Sequence, residues 1–498
     1  MNKLLLTTVS AVALAISATA AMAAGSTTYI TQLDTNQSAT IDQSLSTAGS
    51  AVGTLGNPFT QDNGEIGGLS PLGAGGNVIA ITQAGSYETF GVNAPSFQSG
   101  TANQASVGQA GSYNDAVLQQ TGYNNGNAYD TISQAGTGSD VALEQNGTQN
   151  NFSISQDAYS NGSDFTAFQV GSYNLVSSAQ TSQVWASIYQ IGSSNSFYNT
   201  QSGYLDSFTS TAVPITLISF TSGELNTTYA AVQDGNNNLI VNNQWGPGAT
   251  VLLGGQFGSY NNIYNAQGGN FGNLAYVAIQ SGTFLTINNN QSGDWNLLNV
   301  NYQYGNNSSI TNVQSGSVGS RYPCSACSNP FMGLPYNNAA NVSQSADNSS
   351  ISNTQTGSNG LATYTQFGSS NSATLVQSNT NNTATFYQDG SDNVMSMNQS
   401  GSGVGINGEN IGTLIQTGGS SWNTANLTQS GNGNIAISTQ SGYWSLANLV
   451  QSGDLNTLTG VQNGTGPSEN VASVTQGTNG NTASYAQTGS GNSVSIHQ

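Results

Sequence analysis

Residues 366–388 read QFGSSNSATLVQSNTNNTATFYQ and contain three glutamines spaced eleven residues apart. A glycine follows the first glutamine by two residues, and an asparagine comes three residues later. From Asn371 onward, Ala373, Leu375 and Gln377 share one face of an extended segment, because side chains of a strand alternate between faces. Glycine and asparagine favour turns. The stretch therefore predicts a strand of about six or seven residues and a tight turn, repeated every eleven residues.

The same unit recurs along much of the chain. The glutamines that mark it are Gln98, Gln109, Gln120, Gln134, Gln145, Gln156, Gln355, Gln366, Gln377, Gln388, Gln399, Gln429, Gln440, Gln451, Gln462, Gln476, Gln487 and Gln498. The turn asparagines are Asn103, Asn114, Asn150, Asn371, Asn382, Asn393, Asn434, Asn456, Asn481 and Asn492. The turn glycines are Gly100, Gly111, Gly136, Gly147, Gly368, Gly390, Gly431, Gly442 and Gly453.

The repeat predicts an all-β fold. Two strand-turn units form one coil of about 22 residues, and stacked coils give a β-solenoid with two facing parallel sheets and loop insertions. A helix is excluded by the period, since apolar residues do not recur at intervals of three and four and glycine is frequent.

The inward-facing amides predict ladders of hydrogen bonds. A buried amide without partners costs about 1–3 kcal/mol, whereas amides stacked about 4.7 Å apart donate to one neighbour and accept from the other. One unit contributes roughly 1.5–3 kcal/mol through its large apolar side chain, but ordering its backbone costs of order 10–20 kcal/mol. Stability must therefore be collective between neighbouring coils.

The N-terminus is predicted to be a secretory signal peptide over residues 1–23. Lys3 supplies a positive start, an apolar run follows, and Ala21 and Ala23 give the small-x-small pattern before cleavage. An N-terminal anchor is the alternative, although the apolar run is short for a membrane span.

Variation in the spacing predicts the domain organisation. An N-terminal segment with the first repeat pair and a Gly/Pro-rich insertion precedes the solenoid proper. The predicted boundaries are 24–81 for that segment, 82–498 for the solenoid, 202–232 for degenerate units, 315–342 for a Cys-containing insertion and 400–415 for a Gly-rich insertion.

Composition argues against several classes of function. Charged residues make up 5% of the chain, with 21 acids against two basic residues, so nucleic acid and anionic lipid are poor partners. The single histidine, His497, rules out a Ser-His-Asp arrangement, and the acids fall mostly at turns. We therefore expect no enzyme, no catalytic residues, no cofactor site and no membrane insertion; weak Ca²⁺ binding at the turns stays open.

Cys324 and Cys327 lie three residues apart in the predicted insertion. Two thiols without a nearby histidine do not complete a zinc site, so we expect no metal centre. In an oxidising compartment the pair favours a local disulfide, Cys324–Cys327, and a redox-active pair is the alternative.

The sequence of residues 98–109, QSGTANQASVGQ, resembles the curlin repeat of bacterial curli subunits, and so does that of residues 366–377. The resemblance covers nearly all of the chain after Ile30 apart from the insertions. It implies an amyloid fibre of the biofilm matrix, exported by a Gram-negative bacterium through an outer-membrane secretion pore and started by a nucleator curlin. The chain departs from the pattern in its many repeats, its cysteines and its lack of basic residues.

The last strand is predicted to be an assembly edge. Val494, Ile496 and Gln498 continue the inward-facing pattern, and neither proline nor a run of charge blunts the strand. We therefore expect a self-assembling extracellular fibre subunit that mediates surface adhesion and cell aggregation. The alternatives are a monomeric β-solenoid adhesin and, less favoured, a polysaccharide-acting β-helix enzyme.

Overall fold

The computed structural model describes the chain in segments. They are residues 26–32, 38–43, 45–46, 48–56, 58–62, 77–123, 125, 130–157, 162–181, 185–202, 227–245, 249–269, 272–316, 338–402 and 409–498. The chain divides into two compact units, an N-terminal unit that ends at Asn195 and a C-terminal unit that begins at Ser196. The predicted signal peptide, the two cysteines and most of the predicted degenerate segment lie outside the described residues.

The described part of the N-terminal unit contains strands and no helix. Its strands are β1 (Thr27–Thr28), β2 (Ile30–Gln32), β3 (Ser38–Asp42), β4 (Ala51–Val52), β5 (Phe59–Asp62), β6 (Val78–Ser86), β7 (Thr89–Phe90), β8 (Phe97–Thr101), β9 (Gln104–Ser112), β10 (Asp115–Tyr123), β11 (Thr131–Thr137), β12 (Asp140–Thr148), β13 (Asn151–Gln156), β14 (Asp164–Ser172), β15 (Leu175–Gln180) and β16 (Trp185–Ser193).

These strands form two parallel sheets that the chain visits in turn. Sheet I contains β1, β2, β4, β5, β7, β8, β10, β12, β14 and β16. Sheet II contains β3, β6, β9, β11, β13 and β15.

The described part of the C-terminal unit is also built of strands alone. They are β17 (Ser196–Ser202), β18 (Thr227–Asn236), β19 (Leu239–Trp245), β20 (Thr250–Leu253), β21 (Gly255–Ser259), β22 (Asn262–Gly268), β23 (Leu274–Val277), β24 (Gln280–Thr283), β25 (Thr286–Gly293), β26 (Asn296–Asn306), β27 (Ser309–Gly316), β28 (Asn338–Asp347), β29 (Ser350–Gln355), β30 (Gly360–Ser369), β31 (Ser372–Thr380), β32 (Asn382–Ser391), β33 (Val394–Ser402), β34 (Asn410–Ser421), β35 (Thr424–Ser430), β36 (Ile435–Tyr443), β37 (Ser445–Ser452), β38 (Thr457–Gly464), β39 (Asn470–Gln476), β40 (Thr482–Gly489) and β41 (Ser493–His497).

They too alternate between two parallel sheets. Sheet III contains β18, β20, β21, β23, β24, β26, β28, β30, β32, β34, β36, β38 and β40. Sheet IV contains β17, β19, β22, β25, β27, β29, β31, β33, β35, β37, β39 and β41.

The core of each unit lies between its two sheets. In β13, Phe152, Ile154 and Gln156 are buried, whereas the residues between them face outward. The neighbouring strand β15 aligns Val176 with Phe152 and Gln180 with Gln156, so equivalent side chains stack coil upon coil. The alternation that the sequence predicted is therefore the burial pattern of the strands.

The predicted fold class is confirmed, with a longer coil. The coil averages about 24 residues instead of 22, because turns vary in length and loops leave the stack. Between Gln355 and Gln377 the interval is 22 residues, whereas between Gln399 and Gln429 it is 30.

Two predicted insertions contain solenoid strands. In the segment 24–81, β5 and the first residues of β6 join the sheets and Gln61 is buried, as is Gln83 just beyond the segment. In the segment 400–415, only residues 403–408 lie outside the described part, and residues 410–415 belong to β34. Sequence spacing missed these strands because the glutamines there are not eleven residues apart.

The other two interruptions fall between paired strands. In sheet IV, β17 pairs directly with β19, so Gln201 and Gln244 are neighbours in the sheet although 43 residues separate them in sequence. Likewise β27 pairs with β29, and the described residues on either side of the cysteine segment, Gly316 and Asn338, end and begin regular strands.

Candidate functional site: the stacked amide ladders

The inward-facing glutamines of each sheet form continuous side-chain ladders. Gln98 donates its Nε2 hydrogen to Oε1 of Gln120 at 2.7 Å, and Gln120 donates in the same way to Gln145 at 2.8 Å. All three side chains are fully buried. Every glutamine pair in these ladders has this polarity, with Nε2 of the earlier coil donating to Oε1 of the later coil.

The ladder members follow the four sheets. In sheets I and II they are Gln32, Gln61, Gln98, Gln120, Gln145, Gln169 and Gln190, and Gln43, Gln83, Gln109, Gln134, Gln156 and Gln180. In sheet III they are Gln233, Gln256, Gln280, Gln303, Gln344, Gln366, Gln388, Gln416, Gln440, Gln462 and Gln487. In sheet IV they are Gln201, Gln244, Gln267, Gln291, Gln314, Gln355, Gln377, Gln399, Gln429, Gln451, Gln476 and Gln498.

Backbone carbonyls fix the orientation of the glutamine amides. Nε2 of Gln109 donates to Oε1 of Gln134 at 3.0 Å and also approaches the carbonyl oxygens of Thr89 at 2.9 Å and Asn114 at 3.2 Å. Because a carbonyl oxygen only accepts hydrogen bonds, the nitrogen of the side chain must point towards it. The ladder therefore satisfies the buried amide and ties each strand to the turn that follows.

The turn asparagines also stack, but they bond mainly to backbone. The amide N–H of Asn125 donates to Oδ1 of Asn103 at 3.0 Å, and that of Asn150 donates to Oδ1 of Asn125 at 3.2 Å. Nδ2 of Asn114 donates to the carbonyl oxygen of Gly136 in the next coil at 3.2 Å. The expectation of a purely side-chain ladder therefore describes the glutamines, whereas the asparagines close the corners between strands.

The other predicted turn asparagines occupy the same kind of corner. Each takes part in a hydrogen bond between a backbone N–H of one coil and an asparagine Oδ1 of the previous coil, as the acceptor, the donor or both. These asparagines are Asn371, Asn393, Asn434, Asn456, Asn481 and Asn492. Asn382 is buried and donates through Nδ2 to the carbonyl oxygen of Ser378.

Close approach of successive coils explains the turn glycines. Gly111 has φ of 130° and Gly147 has φ of 139°, a region open to glycine. A Cβ atom on Gly111 would lie 1.9 Å from the carbonyl oxygen of Gly136, so a side chain has no room. Positive φ is shared by Gly368, Gly390, Gly431, Gly442 and Gly453, whereas Gly100 and Gly136 pair in register with Gly122 and Gly111.

Sheet IV contains a second buried ladder, which the glutamine spacing did not predict. Nδ2 of Asn312 donates to Oδ1 of Asn289 at 2.7 Å, and Nδ2 of Asn353 donates to Oδ1 of Asn312 at 2.6 Å. The hydroxyl of the buried Tyr364 donates to Oδ1 of Asn353 at 3.0 Å and closes the ladder. The members are Asn199, Asn242, Asn265, Asn289, Asn312 and Asn353. Their signal is the spacing Asn-x-Gln inside a strand.

The predicted assembly edge is the outer strand of sheet IV. Within the described residues, β41 pairs along one edge, with β39. Val494 and Ile496 are half-buried, whereas the residues aligned with them, Ala472 and Val474, are fully buried. Gln498 is exposed and accepts from Nε2 of Gln476 at 3.0 Å.

One corner of the N-terminal unit holds a buried acid. Thr89 pairs with Asp115, which places Glu88 where Asn114 stands in the next coil. The Glu88 side chain is fully buried, and burial raises the pKa of its carboxyl to about 7 despite the opposing effect of Asn114. Burial and the charges of Asp164 and Asp115 raise the pKa of the Asp140 carboxyl to about 6.

The described segments contain no group of three or more His, Cys, Asp or Glu residues arranged to hold a metal ion. Nor do they include a helix with the length and hydropathy needed to cross a bilayer.

Two stretches of the chain match a model of the curlin associated repeat, at residues 97–122 and 368–401. The first stretch covers β8, β9 and nearly all of β10, and the second runs from the end of β30 into β33. No curated protein matches the chain. Both matched stretches therefore coincide with strand-turn units that carry the glutamine ladder.

Proposed function

We propose that this chain, which carries two matches to the curlin associated repeat, is a structural subunit that self-assembles into an extracellular amyloid-like fibre of the biofilm matrix. The repeat matches and the β-solenoid fold together fit a curli-like, non-enzymatic structural protein. The observation that carries the finer proposal is the one-way polarity of the glutamine ladders.

A one-way ladder has complementary ends. In sheet IV, Gln476 both accepts from Gln451 at 2.9 Å and donates to Gln498 at 3.0 Å, so each coil offers acceptors on one side and donors on the other. A coil from a second copy supplies the missing partner in the same geometry, together with the backbone bonds of a parallel strand. Stacking between copies is thus the same interaction as stacking within one copy.

The edge strand β41 supports this assembly. An exposed strand edge pairs readily with another chain, and proteins that avoid this place charge or proline there. Ile496 and Val494 are half-buried side chains that another coil would cover fully, as Val474 and Ala472 are covered inside the unit. Burial of apolar area then adds to the hydrogen bonding of the new coil.

Adhesion, export and the partner proteins belong to the same proposal. The signal peptide predicted over residues 1–23 and the curlin-repeat matches support the part of the proposal that concerns export, through an outer-membrane pore and with a nucleator curlin as the starting template. The fibre would then mediate surface adhesion and cell aggregation.

The test is assembly of the purified mature chain. We expect pelletable fibres whose diffraction shows reflections at about 4.7–4.8 Å and about 10 Å. A chain that stays monodisperse through prolonged incubation at raised concentration and moderate salt contradicts the proposal. Saturable surface binding by that monomer would instead favour a monomeric adhesin.

A further inference from the structure

One corner column of the C-terminal unit consists of residues with a left-handed backbone. Each follows a strand of sheet III and precedes one of sheet IV, and φ lies between 50° and 62°. Successive members stack through backbone hydrogen bonds, for example from the N–H of Trp444 to the carbonyl oxygen of Ser421 at 3.1 Å. The column contains Asn237, Tyr260, Phe284, Asn307, Asn348, Ser370, Asp392, Trp422 and Trp444.

The two tryptophans are unexpected at these positions. Positive φ favours asparagine and is strained for a bulky side chain, and the column itself uses Asn307 and Asn348. Trp422 and Trp444 remain 54% and 42% exposed, so they contribute little to the core. Since the fold accepts asparagine here, packing alone does not account for the indoles.

The indole rings are stacked along the column. Their centroids are 5.4 Å apart and their planes differ by 5°, close to the spacing of successive coils. The outer ring faces therefore look along the column, Trp422 towards the coil of Asp392 and Trp444 towards the following coil. The N–H of Asn470 in that coil donates to the carbonyl oxygen of Trp444 at 2.9 Å, and Asn470 pairs in register with Ser445. The exposed Glu469 therefore stands in the following coil at the position aligned with Trp444.

An aromatic face beside a carboxylate is a recognition site for an organic cation. A guanidinium group stacks on an indole within about 6 Å of its centre and pairs with a carboxylate at its edge. The chain has one lysine, Lys3, and one arginine, Arg321, and neither lies in the described segments. We propose that the Trp422–Trp444 stack, with Asp392 and Glu469 at its two ends, binds guanidinium groups supplied by a partner molecule.

The same column contains an internal control. Tyr260 and Phe284 stack at 4.9 Å and 15°, but the members on either side are the neutral Asn237 and Asn307. This second stack offers aromatic faces without carboxylates. Charge complementarity therefore assigns the cation to the tryptophan stack.

The experiment uses the full chain kept dispersed, as checked by sedimentation velocity, so its result does not depend on fibre formation. N-acetylarginine amide is the probe and N-acetylcitrulline amide its neutral isostere, and binding is measured by ligand-observed NMR titration. The variants are Trp422→Asn with Trp444→Asn, Asp392→Asn with Glu469→Gln, and Tyr260→Asn with Phe284→Asn as the matched control. Asparagine keeps the left-handed corner in each aromatic variant.

We expect saturable binding of the arginine probe that is at least 10-fold weaker in the tryptophan variant and at least 5-fold weaker in the charge variant. The Tyr260/Phe284 variant should bind like the unaltered chain, and the citrulline probe should bind at least 10-fold more weakly. Equal binding of the two probes, unchanged affinity in the tryptophan or charge variant, or no saturable binding overturns the assignment.

Discussion

Gln314 donates its Nε2 hydrogen to Oε1 of Gln355 at 2.7 Å, although 41 residues separate them in sequence. The next contact of the ladder, from Gln355 to Gln377, is 2.8 Å long across 22 residues. The hydrogen bond is thus insensitive to the length of chain between two coils, because the strands on either side of the cysteine segment keep their register.

The first prediction replaces that segment with a short turn. Four residues, Thr-Gly-Ser-Asn, connect Gln355 to Gly360, which pairs in register with Asn338. Substituting this turn for residues 315–337 should leave the thermal midpoint within a few degrees of the unaltered chain, since no ladder contact is lost. A large fall in the midpoint, measured by circular dichroism, would show that the segment stabilises the solenoid.

The second prediction concerns a single ladder residue. Gln366 accepts from Gln344 at 2.7 Å and donates to Gln388 at 2.8 Å. Gln366→Ala leaves both partners with an unpaired buried group and should destabilise the chain by about 2–4 kcal/mol. Thr365→Ala, on the outward face of the same strand, is the control and should stay within about 0.5 kcal/mol in urea denaturation. Equal urea midpoints for the two variants would show that the glutamine ladder does not stabilise the fold.

Much of this architecture was predictable because, wherever turns are short, glutamines eleven residues apart in sequence occupy equivalent positions in consecutive strands. The sequence did not reveal Gln61 and Gln83, since inserted residues hide a register that the hydrogen bonds restore. The spacing also did not indicate that Asn289 and Asn312 are buried, because asparagine ordinarily favours turns. Their amides are satisfied inside the core because the neighbouring coil has an asparagine at the same position. Nor did the spacing single out Glu88, which occupies the corner position that Asn114 occupies in the next coil.

The third prediction is a pH dependence from Glu88. Its folded pKa is raised from 4.5 to about 7, so the folded state binds the proton more tightly than the unfolded state. Stability from this group is fully present below about pH 4.5 and is lost as the pH rises through 7. Glu88→Asn, the residue of the next coil, should flatten the fall in urea midpoint between pH 5 and 8.

The control for that experiment is Glu144→Gln, an outward-facing acid of the same unit. It should reproduce the pH profile of the unaltered chain. Identical profiles for Glu88→Asn and the unaltered chain would locate the pH dependence elsewhere, with the raised carboxyl of Asp140 as the next group to replace.

The fourth prediction tests the end of the asparagine ladder. Tyr364→Phe removes the hydroxyl that donates to Oδ1 of Asn353 and should cost about 1–2 kcal/mol, because the acceptor stays buried. Tyr387→Phe changes a half-buried tyrosine of the neighbouring strand in sheet III, and we expect almost no effect. If both variants unfold at the same urea concentration, the ladder does not need its terminal donor.

The fifth prediction concerns growth at the edge strand. Ile496 lies on the inward face of β41 and Ser495 on the outward face, so lysine at either position adds the same charge to the same strand. Ile496→Lys buries that charge under an incoming coil and should slow elongation at least 10-fold, whereas Ser495→Lys leaves it in solvent and should have less than a 2-fold effect.

Elongation is best followed by pelleting after addition of preformed seeds, with diffraction of the product as a second measurement. The seeds come from the unaltered chain, so both variants meet the same growing end and differ only in the strand they present. Equal elongation rates would mean that growth does not pass through β41, and the assembly surface would then have to be sought at another edge of the stack.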